Sequence, residues 1–487
     1  MKYGQKGAAS VSECMTLGGA MKKYFELDKY NTSVKTEVLA GITTFITLAY
    51  ILILNPQILS DPYVIMENAD MASKIYNGVF IGTCLGAFVG TFLCAVYAKV
   101  PFAQAPGMGL NAFFAYTVVL DMGYSYQEAL VVVFLSGLLF IFITVVGIRE
   151  AIIKAIPQCV KGAITPGIGL FITIIGLKNA GIVVGKESTL VSMLNFAAWR
   201  EEGVTSEQLN AIFCGIVALV GLVVIAVLAY KKVTASILVG IVVATIVGIP
   251  FGVTKLSNIN FDFAGQFRDF AEVSLFKMDF AGFFAGENIV ETIFTVVMLV
   301  ISFSLVNMFD SIGTLFGAAK QAGLVDKNGE VHRMKEALLC DAVSTAAGAM
   351  VGTSTVTTMV ESSAGVGAGG RTGMTSLTTS LLFLAAILLA PFVAIVPSAA
   401  TAPALIFVGI GMLSSIKDVD FEDMSNALPA FCTVIFMPFT YSIANGIAMG
   451  LITYCLMKAL LGKFKEIKVL TLVVAIVFVL RYAFMAM

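Results

Sequence analysis

GTSTVTTMVESSAGVGAGGRTG, residues 352–373, lies between two strongly apolar runs and places a carboxylate, Glu361, where a bilayer-spanning chain is expected to be hydrocarbon-like. Its first part, TSTVTTMV, is rich in β-branched residues, which favour extended backbone over helix. Its second part, ESSAGVGAGG, is small and helix-compatible only when tightly packed. An extended piece leading into a half-helix is a broken span, and such backbone survives at membrane depth only where it is buried in protein or lines a wet cavity. A second break is predicted in PFAQAPGMGLNAFF, residues 101–114, where two prolines and two glycines interrupt an apolar stretch. Two breaks in matching positions of the two halves of a chain point to a transporter binding site.

Working outward, composition sets the class. The 487 residues are 58% hydrophobic and 13% charged, with a mean hydropathy of +0.94, beyond what a soluble globular chain carries. Apolar runs at 37–59, 78–98, 127–148, 209–230, 288–309, 375–397 and 446–462 are long enough to cross a hydrocarbon core of about 30 Å as helices. A β-barrel would show short alternating segments instead. Threading the segments from an inside N-terminus puts 22 of the 30 Lys and Arg residues inside and seven outside, with Arg481 in the last segment, as the positive-inside rule requires. The polar, basic N-terminal stretch has no apolar core followed by a cleavage site, so no removable signal peptide is expected. The eight cysteines are scattered without CxxC or CxxH pairs and read as small packing residues.

This threading uses about fourteen spans. Three pairs of segments relate the halves: 164–176 with 400–412, 106–117 with 364–375, and 43–61 with 292–310. Seven spans per half make the second copy enter from the opposite side, an inverted repeat. The predicted organisation is a cytoplasmic segment 1–36, a first seven-span repeat 37–252, an extracytoplasmic loop 253–287, a second repeat 288–463, and a C-terminal apolar segment 464–487. Within the last, 469–486 either crosses or lies at the interface with Arg481 reaching to water.

Three polar side chains stand near the breaks: Glu361, Asp310 in LVNMFDSIG, and Asn111. A carboxylate in a span costs about 2.5–3.5 kcal/mol on insertion scales, so it usually faces a cavity or a partner. The bland alternatives are that Asp310 lies in water at a helix end and that Glu361 caps its half-helix. Asp341, in LLCDAVSTAAG, is read as structural, bonded to neighbouring backbone. GVGAGG at 365–370 matches a dinucleotide fingerprint by letters only, because it follows a membrane segment and not a βαβ strand; glycine here serves close packing. The lone His332 sits in a charged loop, DKNGEVHRMKE, so any proton coupling runs through carboxylates. No metal cluster, HExxH or nucleophile with a histidine partner is present, which argues against an enzyme.

GITTFITLAYILILNP (41–56), PFAQAPGMGLNAFFAYTVV (101–119), AITPGIGLFI (163–172), FDSIGTLFG (309–317) and the opening stretch together resemble the AzgA-type adenine/guanine/hypoxanthine permeases of the nucleobase and ascorbate transporter superfamily. The resemblance covers about 24–463. It implies an all-α membrane fold of fourteen spans in two inverted repeats, divided into core and gate domains, with short strands and half-helices in spans 3 and 10. It further implies that Asp310 and Glu361 hold the base and that Asn111 is the polar residue of span 3; either Asp310 or Glu361 is predicted to be the group that carries the coupling proton. Thr353, Ser354 and Thr355 complement the remaining base edge, and Asp341 and Thr314 support. Uracil permeases of the superfamily carry a histidine where this chain has Thr314, which removes a histidine-based coupling scheme. The implied activity is proton-coupled import of purine nucleobases by elevator-like movement in a bacterial cytoplasmic membrane, with the bilayer and the purine as partners and a homodimer by analogy. No cofactor or nucleic-acid partner is expected. Sodium in place of the proton stays open, as does the choice of purine. The competing reading is an anion transporter or channel of the same architecture.

Overall fold

The computed structural model describes residues 17–147, 156–186, 188–200, 204–256, 261–285 and 333–484, with 295–297, 299–301, 303–304, 306–308, 311, 314–315 and 319 between the last two. Helices dominate, and their starts are written in polar side chains. Ser33 accepts from Thr36 N–H to open Val34–Leu48, and Asn68 accepts from Met71 N–H to open Ala69–Leu93. Full capping boxes, Ser125 with Glu128 and Thr205 with Gln208, open Tyr126–Val146 and Ser206–Tyr230. Eight helices among the described residues are long and apolar enough to cross a bilayer, and shorter apolar ones, such as Ser236–Gly248 and Met424–Phe439, join them.

Contacts gather these helices into two sets. Val34–Leu48, Ala69–Leu93, Tyr126–Val146, Met334–Met350 and Gly373–Ala385 pack around one centre, with Ile51–Ile65 against Ala69–Leu93. Gln158–Asn179, Ser206–Tyr230, Ser236–Gly248, Ser398–Leu413, Met424–Phe439 and Ile443–Leu460 pack around another. Gln158–Asn179 and Ser398–Leu413 meet backbone to backbone: a Cβ added to Gly169 would come within 2.8 Å of the Gly409 carbonyl oxygen. Pro166 and Pro403, which the paired sequences 164–176 and 400–412 share, lie inside these two helices rather than at their starts. The helices begin one to two turns earlier, after Pro157 and Pro397.

Both broken spans are there. Strand β1, Gln104–Pro106, is followed by a half-helix, Met108–Ala112, which continues as a wider π-helical segment, Phe113–Asp121. Two further strands, β2 (Val183–Lys186) and β3 (Leu190–Met193), form a separate surface hairpin that the sequence reading did not include. Strand β4, Val356–Thr358, is followed by a second half-helix, Ser362–Gly367. Strands β1 and β4 run antiparallel, with Gln104 opposite Thr358 and Pro106 opposite Val356. The extended segment is therefore only three residues of the TSTVTTMV stretch, but it is wholly buried.

The strand pair can be buried at this depth because the Ala69–Leu93 helix presents glycine to it every fourth residue. Cβ atoms built on Gly78, Gly82, Gly86 and Gly90 would meet Ser274, the Val351 carbonyl oxygen, the Thr353 and Val356 methyls, and the Gln104 and Ser344 side chains, at 2.3–3.1 Å. One stripe thus seats the turn before β4, β4 itself and β1.

Candidate functional site

The β1–β4 crossing is built from its backbone outward. Gly107 N–H donates to the Thr355 carbonyl (3.0 Å) and Met359 N–H to the Ala103 carbonyl (3.0 Å), extending the ladder past each strand. The Ser362 hydroxyl accepts from Ala103 N–H (3.0 Å) and so joins the second half-helix to the approach of β1. From below, Asp341 holds both strands: Oδ1 accepts from Thr358 N–H (2.7 Å), the Thr358 hydroxyl (2.9 Å) and Gln104 Nε2 (3.1 Å), and Oδ2 from the Thr357 hydroxyl (3.1 Å). Ser311 adds a 3.0 Å contact to Thr357. Each donor offsets part of the cost of a buried carboxylate.

On the other side lies a chain of buried side chains. The Thr83 hydroxyl and the Thr353 hydroxyl accept from Asn55 Nδ2 (2.6 and 2.8 Å), Asn55 Oδ1 accepts from Asn111 Nδ2 (2.6 Å), and Asn111 Oδ1 accepts from the Ser354 hydroxyl. Asn111, Thr353 and Ser354 are thus brought together, with Asn55 as the member that joins them. Thr355 sits beside them, and its hydroxyl is buried without a hydrogen-bond partner among the described residues.

Glu361 stands at the head of the second half-helix but makes no side-chain cap bond to it. Its Oε1 accepts from the Tyr50 hydroxyl at 2.6 Å, while Oε2 is covered yet has no hydrogen-bond partner among the described residues. The residue as a whole is half-buried and its neighbour Val360 is 53% exposed, so this turn borders open space. A buried acceptor without a partner, next to an opening, is a place for a ligand donor. Phe113 stacks on Phe303 with ring centroids 4.7 Å apart and Phe114 meets Tyr126 edge-on, which ties both rings into the core. The Thr314 hydroxyl donates to the Ser311 carbonyl one turn back (3.2 Å). Asp310 and His332 lie outside the described residues.

Sequence reasoning missed Tyr50, Asn55, Thr83 and Gln104. Asn55, an amide inside the apolar run ILILNPQ, carried a readable signal as an intramembrane polar group. Tyr50 carried none, since tyrosine is ordinary in a membrane helix and its partner is 311 residues away.

A polar strand crossing seated in one set of membrane helices, with its first half-helix against the other set, defines the class: a multi-pass transport protein. The model of the xanthine/uracil permease family, described as "Permease family", matches residues 35–449, and the chain belongs to that family. It is 40% identical over 466 residues to a putative permease of Methanocaldococcus jannaschii, covering 96% of this chain and 99% of that one. It is 39% identical to adenine permease AdeP of Escherichia coli (96% of each chain) and 39% identical to guanine/hypoxanthine permease PbuO of Bacillus subtilis (94% of this chain, 99% of that one). Among solved structures, the transmembrane domain of a cyanobacterial bicarbonate transporter, BicA, aligns with a TM-score of 0.55 at 15% identity, covering 85% of this chain and 97% of that one. SLC26A9 aligns with a TM-score of 0.53 at 12% identity, covering 90% and 68%. The two likenesses share the fold. The chain is a permease rather than an enzyme, a multi-pass protein of the cytoplasmic membrane.

Proposed function

We propose that the protein imports purine nucleobases (hypoxanthine, guanine or adenine) across the cytoplasmic membrane, coupled to protons. One observation carries the reading: Glu361 Oε2, three residues past β4, is a covered carboxylate oxygen without a hydrogen-bond partner among the described residues. A purine edge offers ring N–H groups, which a carboxylate accepts well, beside ring nitrogens and carbonyls that accept. The Thr355 hydroxyl, equally unpartnered, supplies a donor to such an acceptor. Relatives named adenine permease and guanine/hypoxanthine permease at 39% identity support the same substrate class. By the family resemblance, Asp310 is the second carboxylate of the site, and Asp310 and Glu361 are the groups available to carry the coupling proton. Asn111, Thr353 and Ser354, already bonded to one another and to Asn55, form the wall of the site and keep its shape.

Transport by alternating access is proposed as movement of the strand-bearing set of helices against the other, the core against the gate of fourteen spans in two inverted repeats. The helices pack chiefly within each set, which supports this division. Among the described residues, contacts across the junction include Gly109 of the first half-helix against Ile168 of Gln158–Asn179, the Thr117 hydroxyl donating to the Tyr441 carbonyl (2.9 Å), and Gln57 donating to the Val396 carbonyl (2.8 Å) and accepting from the Thr401 hydroxyl (2.5 Å). An anion transporter of the BicA type is the second reading; the acidic side chain at the half-helix head disfavours it.

The test is uptake of labelled hypoxanthine by Glu361→Gln and Asp310→Asn in cells lacking their own purine permeases. A loss of at least tenfold in uptake at equal membrane levels is expected, as for removal of a charged hydrogen-bond partner worth about 1.5–3 kcal/mol. Wild-type rates with unchanged pH dependence in both variants would overturn the assignment of these carboxylates.

A further inference from the structure

The Tyr50–Glu361 bond extends the reading just given and rests on it. Tyr50 is fully buried at the junction between the Val34–Leu48 and Ile51–Ile65 helices, 311 residues from Glu361 in sequence. It has helical backbone (φ −61°, ψ −27°), so no backbone strain accounts for its place. At 2.6 Å its hydroxyl makes the hydrogen bond that Oε1 accepts. No cap bond from the half-helix competes for the carboxylate. The bond at Oε1 restricts the rotation of the carboxylate, and Oε2 is the oxygen left without a partner among the described residues.

We propose that Tyr50 is a positioning residue for substrate: by fixing Glu361 through Oε1 it assigns Oε2 as the atom that accepts an N–H from a planar nitrogen heterocycle. The same helical span, Val34–Ile65, carries Asn55, whose amide orders Asn111 and Thr353 on the other side of the strand crossing. One turn and a half of this span therefore orients both walls of the site without lying in either broken span. Mis-set at Tyr50, the carboxylate is free to turn Oε2 away from the ligand, and affinity falls while the moving parts stay intact.

The experiment is binding of tritiated hypoxanthine to purified full-length protein in detergent, wild type against Tyr50→Phe, alongside KM and maximal rate of uptake in cells. Expected for Tyr50→Phe is a Kd and KM raised about tenfold, as for a lost hydrogen bond to a charged group, with the maximal rate per transporter within about twofold of wild type. A variant with reduced thermal stability and maximal rate but unchanged Kd and KM would make Tyr50 purely structural and overturn the inference. Wild-type protein that binds no hypoxanthine would overturn the parent reading and this one with it, whereas wild-type binding with unaltered Tyr50→Phe affinity overturns this one alone. Should Tyr50→Phe fail to accumulate, infrared difference spectra of wild type and Glu361→Gln on adding hypoxanthine decide. A ligand-shifted Glu361 carboxylate band with an unmoved tyrosine C–O band is expected; a tyrosine band that shifts with the ligand means that the phenol lets go of Glu361, and contradicts the inference.

Discussion

Asp341 and Glu361 are both carboxylates within apolar surroundings, and their partners separate their roles. Asp341 is fully buried and receives four hydrogen bonds, three of them from residues of β4, so it is the pin under the strand crossing. Asp341→Ala would leave Thr358 N–H and Gln104 Nε2 without their shared acceptor. We expect a loss of about 3 kcal/mol or more in stability, by the cost of stripping donors from a charged acceptor, seen as a lower unfolding temperature of the solubilised protein. Asp341→Asn keeps one acceptor oxygen and should fall between. A variant Asp341→Ala as stable as wild type would remove the pin from the fold. Sequence alone showed that these carboxylates needed partners, and it ranked Glu361 with the ligand and Asp341 with the backbone. It could not show which donors arrive, because those of Asp341 come from residues 104, 357 and 358 and that of Glu361 from residue 50. Such pairings exist only after distant segments meet.

At the scale of elements, the broken spans were legible and their seat was not. β-branched residues in TSTVTTMV and the proline–glycine pattern of 101–114 locate both breaks, because each opposes continuous helix locally. The strand is shorter than the β-branched run: its register covers Val356–Thr358 against Gln104–Pro106, with one further backbone bond beyond each end, from Gly107 N–H to Thr355 and from Met359 N–H to Ala103. GVFIGTCLGAFVG, residues 78–90, spells the glycine stripe openly at four-residue spacing, yet what it faces is set by tertiary structure. Gly82→Ala would put a methyl 2.4 Å from the Val351 carbonyl oxygen, which is backbone and cannot swing aside. The expected cost is about 1–3 kcal/mol from overpacking, with purine binding lost along with the seating of β4. Gly411→Ala, on a helix face with no heavy atom within 4 Å, is the matched control and should behave as wild type. Equal unfolding temperatures and equal hypoxanthine affinity for the two variants would show that the stripe does not hold the strands.

At the scale of the molecule, composition and charge asymmetry were enough for the multi-pass class, while the division into two packed sets became visible only in the contacts. The proposed movement between them has a direct mechanical test. A Cβ built on Gly109 lies 3.9 Å from that of Ile168, a separation suited to a disulfide. Gly109→Cys with Ile168→Cys, in a background with the native cysteines replaced, should lose uptake on oxidation and regain it with reductant; full activity of the oxidised, cross-linked protein would exclude relative movement at that junction. Substrate and coupling are decided together by one measurement: uptake of radiolabelled hypoxanthine by cells lacking their own purine permeases, with unlabelled adenine, guanine, xanthine and uracil as competitors, with and without a protonophore. Uptake that purines compete, uracil does not, and the protonophore abolishes is the expected result. No uptake above empty-vector cells, with the protein verified in the membrane, would contradict purine import and turn attention to anions.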